Sequence, residues 1–224
     1  MQTQDAPAEL LVKFWPWFEA NRKRLILVGV AALVIFFIWF FISSQRQQKE
    51  LAAGQAYTKL QLSLPPNPTV QQVADAYLKI ANDYAGTVAA QRAQLQAAAL
   101  YFSAGRYADA QALFQKSLAS AGGSPLAAGA RMGVAACLEA QGKLDAAAAE
   151  YHAVATSNPE AVEAIASKFA QGRVLELQGK LNEASAYYQE VTRAPLAGSM
   201  AQEAAQRLAL IQTKIAATKP AAKS

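Results

Sequence analysis

The 224-residue sequence holds one cysteine and one histidine. A lone thiol excludes an intrachain disulfide, a thiolate metal cluster and a CxxC redox pair. A lone imidazole excludes a multi-histidine metal site. Charge is also sparse, at 17% of residues with a net of +5. Beyond position 44, 17 basic residues face 13 acidic ones, with no basic stripe of the kind nucleic acid requires. There is no P-loop, no GxSxG and no HExxH, so the common phosphate, acyl-transfer and zinc-hydrolase signatures are missing. With Gly at 12 and Pro at 9 the chain is not collagen-like, and with 53% hydrophobic residues it is not disordered. What it has in excess is alanine, 52 of 224 residues. Alanine has the best helix propensity and the smallest side-chain volume, so close-packed helices are expected.

The hydrophobicity is uneven. Residues 25–42 read LILVGVAALVIFFIWFFI without a charge. As a helix at ~1.5 Å per residue they nearly cross a hydrocarbon core of ~30 Å, and Ser43 and Ser44 complete the span. A cleaved signal peptide would end in small residues, whereas this run ends in bulky ones, so a retained anchor is expected. Arg22, Lys23 and Arg24 abut the span and Lys13 precedes them, while Arg46 and Lys49 follow more loosely. That asymmetry puts the N-terminus inside and residues 45–224 outside, in the periplasm of a Gram-negative cell. Phe14, Trp15, Trp17 and Phe18 lie near the interface as an aromatic belt or as an interfacial docking helix.

The rest of the chain repeats. Gly105, Gly142 and Gly179 are 37 apart, as are Ala110, Ala147 and Ala184, and Phe114, Tyr151 and Tyr188. A basic residue follows each Gly, then Tyr107, Leu144 or Leu181. One period earlier, Tyr77 holds the aromatic place and Val73 the small one, while Pro68 stands where Gly should be. The next apolar place holds Ile80, Ser117, Val154 and Val191. Physically, the Gly ends one helix where φ > 0 is needed. The Ala marks the contact of two helices, and the aromatic four residues on fills the same face. A helical hairpin of this kind cannot bury its face alone, so copies stack. Helices are expected near 46–62, 69–84, 88–104, 107–120, 125–140, 144–156, 160–178, 181–193 and 199–217. The last carries a stripe of Met200, Ala204, Leu208, Ile211 and Ile215 suited to capping the stack.

These residues resemble the tetratricopeptide repeat over roughly 70–196. The match is carried by Ala98, Tyr101, Gly105, Tyr107, Ala110 and Phe114 in one copy. Ala135, Gly142, Ala147, Tyr151 and Pro159 carry it in the next, and Gly172, Gly179, Ala184 and Tyr188 in the third. The family's early Trp is replaced by Gln94, Arg131 and Lys168, and a 37-residue period in place of ~34 implies longer inter-repeat loops. The resemblance implies an α-solenoid; with the apolar run and the terminal stripe, the expected chain is all-α, with an N-terminal transmembrane helix, then the solenoid and a C-terminal capping helix. Its parts are a cytoplasmic segment 1–24, a span 25–44, a linker helix and Pro-rich turn 45–68, repeats 69–217 and a disordered tail 218–224.

It further implies a concave, partner-binding groove formed by the first helix of each pair. Here that face holds Arg92, Leu95, Ala99 and Phe102, then Gly129, Met132, Ala136 and Glu139, then Ala166, Phe169, Arg173 and Glu176. The family's carboxylate clamp needs Lys and Asn where Leu95 and Ala99 stand, so capture of an acidic C-terminus is disfavoured. Leu95, Phe102, Met132 and Phe169 suggest an apolar groove for an amphipathic or unfolded segment. Coverage of that stripe by the terminal helix or a neighbouring copy is the other reading. His152 sits one step off a buried position and is expected to be solvated or half-buried, and Cys137 to be a small core hydrophobe. No enzyme, cofactor, metal, nucleic acid or small-molecule substrate is expected.

The whole layout is similar to single-pass ancillary subunits of the bacterial Sec translocon: a short basic stretch at 18–24, one span, a linker helix and a small repeat domain. That resemblance implies an inner-membrane adaptor whose partners are translocon subunits, chaperones or extended client peptides. The other reading is a generic scaffold for envelope assembly or cell division.

Overall fold

The structure is a computed structural model that describes residues 6–159 and 161–218. Side chains of residues 6–16, 18 and 218 are not described, so Phe14, Trp15 and Phe18 of the expected belt lie outside it, as does the expected tail from 219 on. Among the described residues there are nine helices and no strand: α1 (Ala6–Ser63), α2 (Val70–Asp83), α3 (Val88–Ser103), α4 (Tyr107–Ala121), α5 (Leu126–Ala140), α6 (Leu144–Ser157), α7 (Val162–Leu177), α8 (Leu181–Arg193) and α9 (Ser199–Thr218). From α2 onward the ends fall within two residues of those expected from the 37-residue period, which is the scatter of helix termini themselves.

The first element differs. Separate helices were expected at 25–44 and 46–62, and instead α1 runs through both. Ser43 and Ser44 are followed by Gln, Lys, Glu, Leu and Ala, all good helix formers, so nothing breaks the ladder. It stops only at Ser63, before Leu64 and Pro65, because a residue ahead of proline avoids helical angles.

The chain divides into two units between Leu51 and Ala52. The first contains the apolar stretch of α1, long and apolar enough by length and composition to cross a membrane. Its side chains from Ile26 to Ile42 project outward, with Phe36 stacked on Phe40 at 6.4 Å between ring centroids.

The second unit is the helical array. It opens with the end of α1, where Tyr57 meets Tyr77 of α2 at 5.5 Å. Pro65–Pro68 replaces the tight turn. Asn67 takes φ 61°, and Thr69 caps α2 in a reciprocal box with Gln72, at 3.2 and 3.0 Å. Thereafter each helix packs on the next, and α3, α5, α7 and α9 also touch one another in a row. Thus α9 stands where the first helix of a further repeat would stand.

Three identical turns join α3 to α4, α5 to α6 and α7 to α8. Gly105, Gly142 and Gly179 have φ near +75°. At the first turn, the Arg106 amide donates to the Tyr101 carbonyl and the Gly105 amide to Phe102, at 2.9 and 3.0 Å, and the same pairs recur 37 and 74 residues later. This is the Schellman arrangement, and it satisfies carbonyls that a helix end leaves open. Ala110, Ala147 and Ala184 are fully buried, and Tyr77, Phe114, Tyr151 and Tyr188 fill the seams beside them. The Phe114 and Tyr188 rings lie so close to Gly133 and Gly172 that those positions have no room for a methyl group.

Candidate partner-binding face

Because α3, α5, α7 and α9 lie side by side, residues at the same register on them form one face. On α3, Arg92 and Ala99 are exposed and Leu95 and Phe102 half-buried, with the Phe102 ring against Tyr107 at 5.3 Å. On α5, Met132, Ala136 and Glu139 are half-buried, and on α7 so are Arg173 and Glu176.

Phe169 departs from its expected place. It is a core residue, 8% exposed, clustered with Tyr188 (5.5 Å) and Ile211. The guanidinium of Arg207 from α9 lies over its ring at 5.7 Å. The terminal helix therefore covers this end of the expected apolar stripe, while Leu95, Ala99, Phe102, Met132 and Ala136 remain accessible.

The covered end is ionic. Arg173 donates Nε and one terminal nitrogen to the two oxygens of Glu139, both at 2.8 Å, and the Tyr151 hydroxyl donates to Glu139 at 3.0 Å. One repeat on, Tyr188 donates to Glu176 at 3.2 Å, and Arg207 and Lys214 approach the same carboxylate at 3.3 and 3.5 Å. One repeat back, the Glu–Tyr pair is replaced by Phe102 and Phe114, which have nothing to pair. So the same two places are hydrocarbon in the first copy and a carboxylate–phenol pair in the next two. Burial, reinforced by Glu139, pushes the Tyr151 phenol well above its usual range, and Tyr188 is pushed up to about 12, again chiefly by burial. The bidentate Glu139 bond raises Arg173 against the opposing effect of burial.

Arg207, Lys214 and the exposed Leu210 of α9 belong to this face, and sequence reasoning missed them. The signal was available: 37 residues beyond Arg173 is Leu210, but the period was not carried into the last helix.

Neighbouring copies are also stapled at their edges. Gln141 donates to Gln111 and Gln178 to Asp145, both at 2.8 Å. The three residues in place of the early Trp tie each first helix to its second: Gln94 donates to the Leu113 carbonyl (3.1 Å), Arg131 pairs with Glu150 (3.2 Å) and Lys168 with Glu190 (2.8 Å).

A family model described as a tetratricopeptide repeat-like domain matches residues 16–219. The chain belongs to that family. No curated protein matches it in sequence. Among solved structures, the type III secretion chaperone SycD of Yersinia enterocolitica, in complex with a peptide of the translocator YopD, is 23% identical. That match covers 54% of this chain and 91% of the other, with a TM-score of 0.45. Two structures of a Podosopora anserina kinesin light chain with TPR-like repeats are 17% and 18% identical. They cover 76% and 80% of this chain and 94% and 98% of their own, each with a TM-score of 0.47.

His152 and Cys137 stand on different helices of the tetratricopeptide array. His152 is exposed on α6. Cys137 is fully buried on α5, and burial pushes its thiol up to about 11, which removes the reactive thiolate at neutral pH. Among the described residues, no group of three or more His, Cys, Asp or Glu is placed to hold a metal ion. The fold is of a kind typical of protein-interaction scaffolds rather than enzymes.

Proposed function

We propose that the protein is a single-pass membrane adaptor whose tetratricopeptide domain lies in the periplasm and holds other proteins near the Sec translocon. Tetratricopeptide-like repeats mediate protein–protein interactions, and the row of first helices is the face through which this chain does so. One observation carries the reading: the family match runs from residue 16 through the apolar stretch of α1 to residue 219, so span and array belong to one inherited unit. The basic run Arg22, Lys23 and Arg24 supports an N-terminus on the cytoplasmic side. Leu95, Ala99, Phe102, Met132 and Ala136 supply an accessible apolar strip for a chaperone or an extended client segment. Leu95 and Ala99 offer no charge to a terminal carboxylate. The layout of span, linker helix and small repeat domain supports placement beside the translocon.

The test is in-cell photocrosslinking from Ala99, an exposed position on the strip, followed by mass spectrometry. Adducts with translocon subunits are expected. Adducts only with cell-division or envelope-assembly proteins would replace the translocon reading with that of a general scaffold.

A further inference from the structure

The last helix has a side that no other helix covers. Among the described residues, α9 packs only on α7 and α8. It stands at the place of a first helix, and each earlier first helix is covered along one stripe by the second helix of its pair. In that stripe Ala98 and Ala135 are 0% exposed, and Tyr101, Leu138 and Leu175 at most 9%. The equivalent positions one repeat beyond α7 are Ala209 and Gln212, and both are exposed. Ala205 and Ala216 extend the exposed stripe, with Ala201 and Leu208 half-buried along it. From Ala201 to Ala216 the stripe runs for ~22 Å on one side of the helix. The charged residues of α9 lie on the opposite side, where Arg207 and Lys214 reach Glu176 and Glu203 pairs with Arg207.

This stripe has lost what holds a second helix. Where Gln94, Arg131 and Lys168 tie each first helix to its second, α9 has Ala205. Where Tyr101, Leu138 and Leu175 fill the seam, it has Gln212. Its pattern suits another α9 instead. Positions 201, 205, 208, 209, 212 and 216 map onto themselves when the helix is reversed about the midpoint between Leu208 and Ala209. Two α9 helices packed antiparallel about a two-fold axis there set Leu208 against Ala209, Gln212 against Ala205 and Ala216 against Ala201. Each long side chain then meets an alanine, and no two long ones collide. Contacts through alanine let the helix axes approach to ~8 Å, the close end of the usual range. A two-fold interface uses the same patch on both chains, so every residue must find its reversed counterpart, and this stripe meets that demand. With no charge in the stripe, nothing in it repels a second copy.

We propose that the chain self-associates through α9, as a two-fold dimer in which the two α9 helices lie antiparallel. The paired side of α9 faces away from Arg207 and Lys214, so pairing leaves the first-helix strip open and gives the dimer two such strips. A stripe ~22 Å long and one helix wide, ~10 Å, is smaller than a standard interface of ~800 Å² per partner, so the dimer forms and dissociates with concentration.

Sedimentation equilibrium of the full chain in an excess of density-matched detergent micelles tests this. A monomer–dimer equilibrium is expected between micromolar and millimolar concentration. Ala209→Glu sets two like charges together near the axis and should raise the dimer dissociation constant about tenfold or more. Because Ala209 is exposed, the circular dichroism spectrum of that variant should match the parent. Mixed with Ala209→Lys chains, the Ala209→Glu chains should dimerise again. Leu210→Glu, at the next residue but on the side of the first-helix strip, should dimerise like the parent. Ala205→Cys and Gln212→Cys chains, mixed under mild oxidation, should cross-link to each other and neither to itself; the native Cys137 is fully buried. A chain that stays monomeric at the highest concentration overturns the proposal, as does self-cross-linking of Ala205→Cys. Association indifferent to Ala209→Glu also overturns it and moves the contact to the apolar stretch of α1. In-cell photocrosslinks from Ala209 to other proteins alone would overturn it too and give the stripe to a foreign helix.

Discussion

Arg173 grips Glu139 through two parallel hydrogen bonds of 2.8 Å, one residue on α7 and the other on α5. The pair joins the first helices of successive repeats, and Glu139 also accepts from Tyr151. Its side chain is only 14% exposed. Removing the guanidinium leaves a largely buried carboxylate with a single hydroxyl partner. Arg173→Met should therefore lower stability by about 2 kcal/mol. Adding Glu139→Gln should recover part of that loss, because the orphaned charge disappears with it. Urea unfolding followed by circular dichroism measures both; a double variant no more stable than Arg173→Met would contradict the latch.

Two of the buried phenols, Tyr151 and Tyr188, make stability fall in alkali. An unfolded tyrosine titrates near pH 10, while Tyr188 is held up to about 12 and Tyr151 lies above its usual range as well. Between those values the folded chain keeps protons that the unfolded chain has lost, so stability declines as pH rises above about 10. Below that pH both states are protonated and these groups contribute no slope. Replacing both residues by Phe should flatten the decline, as measured by urea midpoints from pH 8 to 11.5. An unchanged slope would mean the phenols are not shielded.

Two glycines on α5 should respond in opposite ways to the same change. A methyl group at Gly133 would lie 2.5 Å from the Phe114 ring, whereas one at Gly129 meets nothing within 4 Å. Gly129→Ala should stabilise by roughly 0.5–1 kcal/mol through reduced backbone entropy of the unfolded chain. Gly133→Ala should instead destabilise by roughly 1–3 kcal/mol through overpacking. Thermal melting of the two variants should move in opposite directions.

Phe169 and Met132 were expected to be alike and are not. Phe169 is enclosed by Tyr188 and Ile211, so Phe169→Glu should unfold the C-terminal half and Phe169→Ala should cost about 3 kcal/mol. Met132 is half-buried on the accessible strip, and Met132→Glu should leave the melting temperature within a few degrees of the parent. Equal losses in both would return Phe169 to the strip.

The membrane reading is tested in spheroplasts. Protease added outside should digest residues 45–224 and leave the N-terminal segment. Full protection would reverse the topology.

Much of the array was legible because its constraints are local and repeated. A glycine needing φ near +75° and an alanine where helices touch each recur every 37 residues. Helix ends followed to within two residues. The site was less legible. Leu95, Ala99 and Phe102 fall where register places them, but register cannot tell a groove residue from one that a later helix covers, as α9 covers Phe169. The cationic partners of Glu139 and Glu176 lie 31 to 38 residues away, on helices whose rotation no local rule supplies.

By itself, then, the sequence determined the helices, their turns, the apolar stretch of residues 25–42 and the order in which helices meet. Each of those depends on neighbours within one repeat or on plain hydrophobicity. Only the tertiary structure decided which part of the first-helix face stays open, that α9 covers Phe169, and that Arg173 meets Glu139 from the next repeat. Those outcomes depend on distances between successive copies, and packing sets such distances only once every helix is in place.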